Sequence, residues 1–123
     1  MLVLASSSPR RSELLTEWGY EFKRVDAPIC EELESGKEPE AIVRDLARKK
    51  ALAGLNAWQN IKGMNQDLVS GADTIVVLHG RILGKPKDER EAEEMLWALS
   101  GNTHRVLTAI ALADYNPDKD IRV

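Results

Sequence analysis

An α/β fold is what the order of elements in this chain predicts. Short apolar runs alternate with segments of helical periodicity, Leu2 to Ala5 before Pro9 to Trp18, and Leu68 to Leu78 between two further helical segments. The run LVSGADTIVVL is almost wholly apolar, the mark of a strand covered on both faces. The 123 residues suffice for a single domain that buries roughly two-thirds of its unfolded surface.

Composition narrows the function classes. The net charge is −3 with both signs interspersed, which argues against a nucleic-acid surface. A single cysteine, Cys30, excludes an internal disulfide and points to a reducing compartment. The N-terminus carries no basic leader, and no stretch approaches the ~20 apolar residues of a membrane span. Neither a nucleic acid nor a membrane is expected as a partner.

Leu2 to Ala5 reads as a short buried strand. Ser6-Ser7-Ser8-Pro9-Arg10-Arg11 turns the chain into a helix, with Ser8 suited to the N-cap, Pro9 to the first helical position and Gly19 to the stop. Arg10 and Arg11 then occupy the end of the helix where the macrodipole disfavours cations. An anion between them would resolve this. Free N–H groups, serine hydroxyls and two guanidinium forks suit a polyphosphate. The stretch reads equally as a solvated basic turn.

Tyr20 to Val25 alternates as a second strand. The loop from Asp26 to Glu38 is acidic, with Glu31, Glu32 and Glu34. Solvation explains such acids, and a Mg²⁺ site held by carboxylate oxygens is the sharper alternative. A helix is predicted over Pro39 to Trp58, with a stripe of Val43, Leu46, Ala47, Ala51, Gly54 and Trp58. Lys50 falls in the middle of that stripe, so it snorkels outward or meets an anion. Asn60 to Asp67 reads as a loop.

Within Leu68 to Leu78, Asp73 is out of place. A carboxylate in an apolar strand needs a partner or a task, as metal ligand or general base; a bulge at Gly71 is the structural alternative. His79-Gly80 reads as a tight hairpin turn returning the chain as Arg81-Ile82-Leu83. Lys85 follows between Gly84 and Pro86, where something could approach closely or where a lysine is simply solvated. Asp88 caps a third helix with Glu91 at capping-box spacing, Ala92, Met95, Leu96 and Leu99 form its expected core stripe, and Gly101 ends it. Thr103 to Ala113 reads as another buried strand. His79, His104 and Cys30 have no ligand-like spacing, and no P-loop motif is present.

Assembled, these residues resemble the Maf family of nucleoside triphosphate pyrophosphatases, in the inosine triphosphatase-like superfamily. The resemblance runs from Leu2 to about Ala113 through LASSSPRRSELL, LARKKA, SGADTIVVL, GKPKDEREAEEML and LSGNTHRVLTAIALAD, in that order. It implies a mixed twisted sheet flanked by helices, and hydrolysis of a nucleoside triphosphate between the α and β phosphates. It also implies Mg²⁺ or Mn²⁺ as cofactor, a cytoplasmic house-cleaning role and a link to septum-formation inhibition. Ser6, Ser8, Arg10 and Arg11 match the family's phosphate-binding turn, Lys50 its helix lysine, Lys85 the lysine of its GKP turn. Asp73 matches the carboxylate acting as base or metal ligand, with Glu31 and Glu32 as further acids for the metal. Arg10 and Thr74 together resemble the branch that acts on dTTP and UTP.

Family members continue beyond the strand matching Thr103 to Ala113, with further strands, a helix and a glutamine- and glycine-rich block. Without them the sheet is expected to leave an exposed edge, which predicts a homo-oligomer, most simply a dimer, or marginal stability. A nucleotide-binding or interaction module without turnover is the alternative function.

Overall fold

The computed structural model describes residues 2–6, 9–26, 29, 37–62, 67–84 and 86–114. Its elements follow the order β1 (Leu2–Leu4), α1 (Pro9–Glu17), β2 (Phe22–Arg24), α2 (Pro39–Lys62), β3 (Leu68–Leu78), β4 (Arg81–Leu83), α3 (Glu89–Leu99) and β5 (Arg105–Ala113). The strands form one mixed sheet. β1 pairs in parallel with β2 and β3, while β4 and β5 run antiparallel to β3. Among the described residues, no helix is long and apolar enough to cross a membrane.

β3 is the hub. β5 accompanies it from Val69 to Val77 in unbroken register. A strand has only two edges, so β1, paired at Leu68 to Ser70, and β4, paired at Val76 to Leu78, share the other one. Among the described residues, a gap lies between them along residues 71–75 of β3. The backbone groups of successive residues point to alternate edges, and the Ser70 carbonyl accepts from Ala5 N–H on the β1 side. The N–H and C=O groups of Ala72 and Thr74 therefore face the gap.

Local chemistry sets the boundaries. α1 ends in a Schellman motif: Gly19 adopts φ +80°, Tyr20 N–H donates to the Leu15 carbonyl and Gly19 N–H to the Thr16 carbonyl. His79 and Gly80 both take positive φ, as the two-residue hairpin between β3 and β4 requires. Asp88 caps α3 by accepting from Glu91 N–H at 2.8 Å. α2 runs one turn past the expected end at Trp58, to Lys62, into what reads as a loop in sequence. Trp58 is buried there, and its indole Nε1 donates to Asp67 at 2.9 Å. That bond holds the Asp67 carboxyl below its ordinary value. β1 and β2 are each shorter than their apolar runs.

The core lies between α2 and one face of the sheet. Ile42, Val43, Leu46, Ala47 and Ala51 of α2 meet Ile75, Val77, Ala109, Ala111 and Ala113. Farther along the helix, Trp58 joins Val3, Ala5, Val25 and Val69. Close approach is made possible by Gly71, where a Cβ would lie 2.3 Å from Ala51 N and 2.7 Å from the Ala47 carbonyl. Gly71 is thus a contact glycine, and the uninterrupted β3–β5 register excludes the bulge.

Two expectations about burial are corrected. The stripe on α3 is no core: Leu96 is 68% exposed, and Ala92, Met95 and Leu99 are only half-buried, because no element among the described residues covers that face. β5 is buried on one face only. Ala109, Ala111 and Ala113 point towards α2, whereas Val106, Ile110 and Leu112 on the alternate face are exposed.

Candidate functional site

The gap in the β3 edge gathers the candidate residues. β1 ends opposite Ser70 and passes through Ala5 to Ser6, and β4 ends opposite Val76, so both chains leave their strands towards the same interval of β3. Asp73 and Thr74 sit in that interval. They are adjacent in a regular strand, so their side chains take opposite faces of the sheet.

On the α2 face, Lys50 Nζ donates to Asp73 Oδ1 at 2.8 Å, with only 19% and 14% of the two side chains exposed. The two misplaced charges of the sequence are therefore each other's partner. Lys50 sits in the apolar stripe because it meets an anion of the protein itself. Asp73 tolerates the strand because an ammonium compensates it. A carboxylate oriented by a charge-assisted hydrogen bond is competent to accept a proton or to share a cation.

On the opposite face, Arg11 of α1 donates to the Ser6 hydroxyl at 3.3 Å and to the Thr74 hydroxyl at 3.4 Å. The Ser6 carbonyl accepts from Arg24 at 3.2 Å, and the hydroxyls of Thr74 and Thr108 lie 2.9 Å apart. This face carries guanidinium cations against neutral oxygens, and so favours an anionic ligand.

The structure thus brings Ser6, Arg11 and Thr74 together on one side of β3 and Lys50 with Asp73 on the other, both groups at the interval of β3 that borders the gap. Arg10 lies exposed in the first turn of α1 and joins neither group directly. Ser8, Glu31, Glu32 and Lys85, like Cys30, lie outside the described residues. Among the described residues no cluster of three or more His, Cys, Asp or Glu could hold a metal ion. Arg24 and Thr108 were not legible in sequence as site residues. Arg24 is one charged position in an alternating strand, and Thr108 acquires meaning only through its register opposite Thr74.

Known proteins resemble this chain over most of its length. The family model described as Maf-like protein matches residues 1–123. A protein named dTTP/UTP pyrophosphatase from Desulfitobacterium hafniense (strain Y51) is 57% identical over 114 residues, covering 93% of this chain and 51% of that one. Relatives of the same name from Shewanella sp. (strain MR-7) and Salmonella typhimurium are 51% and 49% identical, over 91% and 99% of this chain and 59% of each of theirs. The chain spans between half and three-fifths of the length of these curated relatives. Among solved structures, a nucleoside-triphosphatase / dITP/XTP pyrophosphatase from Mycobacterium abscessus matches with a TM-score of 0.49 at 18% identity, over 98% of this chain and 67% of that one.

Proposed function

Because the chain belongs to the Maf-like protein family, we propose that it is a nucleoside triphosphate pyrophosphatase of the dTTP/UTP type, hydrolysing the α–β phosphoanhydride to the monophosphate and pyrophosphate. The name borne by relatives at 49% to 57% identity supports the substrate class. The observation that carries the reading is that adjacent residues of β3 hold an oriented carboxylate and a cation-bearing cluster beside one gap: the Lys50–Asp73 pair on one face, Arg11 with Ser6 and Thr74 on the other.

In this reading residues 1–123 form a single, partial Maf-like domain. Ser6, Ser8, Arg10 and Arg11 bind the phosphate chain, and Thr74 with Arg10 selects dTTP and UTP. Asp73, oriented by Lys50, accepts a proton from the water that attacks the α phosphorus. Lys85 offsets charge on the leaving pyrophosphate, and fixed cations do this without reorganising in the transition state. Asp73 offers a divalent cation a hard carboxylate donor through Oδ2, its Oδ1 being engaged by the Lys50 ammonium at 2.8 Å. Glu31 and Glu32 would complete the ligand set. When bound, Mg²⁺ or Mn²⁺ supplies Lewis-acid neutralisation of the phosphate oxygens. The same reading includes a cytoplasmic, house-cleaning role linked to septum formation, and a homo-oligomer, most simply a dimer.

Pyrophosphate release tests this. The purified chain is incubated with dTTP, UTP and other triphosphates in Mg²⁺ or Mn²⁺, and release from dTTP and UTP is expected to dominate. Asp73→Asn is expected to lower turnover about 10²- to 10⁴-fold while nucleotide binding persists. Thermal stabilisation by nucleotide without release would replace the enzyme by a binding module. The exposed apolar face of β5 favours an interaction module, which is the outcome if neither response is seen.

A further inference from the structure

Five side chains form one continuous network across the sheet. Arg24, the last residue of β2, donates to the Ser6 carbonyl at 3.2 Å, and Arg11 to the Ser6 hydroxyl at 3.3 Å. Arg11 also donates to Thr74 at 3.4 Å, and the Thr74 hydroxyl shares a hydrogen bond with Thr108 of β5 at 2.9 Å. The network therefore ties β2, the turn after β1, α1, β3 and β5 to one another.

Its charge is unbalanced. Two guanidinium groups converge on one serine, and among the described residues neither Arg11 nor Arg24 has a carboxylate within ion-pair distance. Among the described residues, every oxygen they hold is neutral. The Arg11 contacts of 3.3 and 3.4 Å are also long, whereas guanidinium–oxyanion bonds settle near 2.7–2.9 Å. Such contacts aim the guanidinium without saturating it. An oxyanion arriving between Arg11 and the turn would gain shorter, charge-assisted bonds and relieve the repulsion of two like charges.

We propose that Arg24 and Thr108 are positioning residues for a phosphate chain bound at this turn. Arg24 fixes the Ser6 carbonyl, and with it the place of the Ser6 hydroxyl that Arg11 holds. Thr108 fixes the Thr74 hydroxyl, and with it the direction of the Arg11 guanidinium. Neither needs to touch the ligand. The proposal rests on the pyrophosphatase reading for its nucleotide, and on the network alone for its anion.

The test uses the full chain with two probes, inorganic tripolyphosphate and dTTP. Affinity is measured by calorimetry, KM and kcat by pyrophosphate release, and fold by thermal melting. Thr108→Val keeps the branched shape and removes the hydroxyl; Arg24→Met keeps the stem and removes the donor. Each is expected to weaken tripolyphosphate binding about three- to tenfold, the effect of one lost hydrogen bond, and to raise KM by a similar factor with kcat nearly unchanged. Thr108→Ser is expected to restore wild-type affinity. Unaltered affinity in both variants would overturn the proposal, as would a loss that tracks the melting temperature and resists rescue by serine. A wild-type chain that binds tripolyphosphate yet hydrolyses no triphosphate would refute the pyrophosphatase reading and leave the positioning roles to be judged by binding. Absence of binding to both probes would overturn both.

Discussion

At the scale of single residues, the Lys50–Asp73 pair resolves a tension between two sequence signals. A lysine in an apolar helical stripe and an aspartate in an apolar strand each demand explanation, and each could indicate a ligand. The structure makes them one feature, at 2.8 Å. Removing only one partner strands a mostly covered charge. Lys50→Met and Asp73→Asn are each expected to destabilise the fold by about 1–3 kcal/mol, and the double variant by less than their sum. Denaturant melts of the four proteins give the coupling. Strict additivity would mean that the two groups do not sense one another. The pairing also ties the mechanism to the fold, because the side chain that orients the candidate base belongs to the helix that covers the core.

At the scale of elements, α2 packs against β3 and β5 to form the core, and Gly71 permits it. A methyl group there meets backbone atoms of α2 at 2.3 and 2.7 Å, which no rotamer change relieves. Gly71→Ala is expected to cost at least about 1–3 kcal/mol, as overpacking does, and to lower the melting temperature by several degrees. Gly84→Ala, where the site is open, serves as the control in the same melt. Much of this level was readable in sequence. β3 and β4 fall on their expected residues, and the α2 stripe is the observed core face with Ile42 added. Those elements announce themselves through unbroken apolar periodicity and strong turn chemistry at His79-Gly80. The misreadings share one cause. Periodicity reports that a face is apolar, not that anything covers it. The α3 stripe and the outer face of β5 have the pattern of core and the exposure of surface. The candidate site was readable as a set of residue types, but the division of Asp73 and Thr74 between two faces, and the contacts of Arg24 with Ser6 and of Thr108 with Thr74, depend on pairing register that no local pattern encodes.

At the scale of the molecule, the two faces of the sheet are unequal. α2 closes one. On the other, Val106, Ile110 and Leu112 stand exposed, and Trp97 of α3 is 73% exposed. Among the described residues the outer edges of β2 and β5 have no partner strand. Apolar surface of this kind, with free edges beside it, marks a place for association. Sedimentation velocity is expected to give a dimer or larger species whose share rises with concentration. A monomer at all concentrations, with a single cooperative melt, would contradict this. The gap in β3 has its own consequence for the rate at which amide protons are replaced by deuterium. β3 is the longest strand and the most enclosed, so uniform slow replacement would be expected of it. Yet the amides of Ala72 and Thr74 open onto the gap, while those of Gly71, Asp73 and Ile75 point into the ladder with β5. The middle of the strand should therefore alternate, residue by residue, between fast and slow replacement, and a nucleotide seated in the gap should slow the fast set.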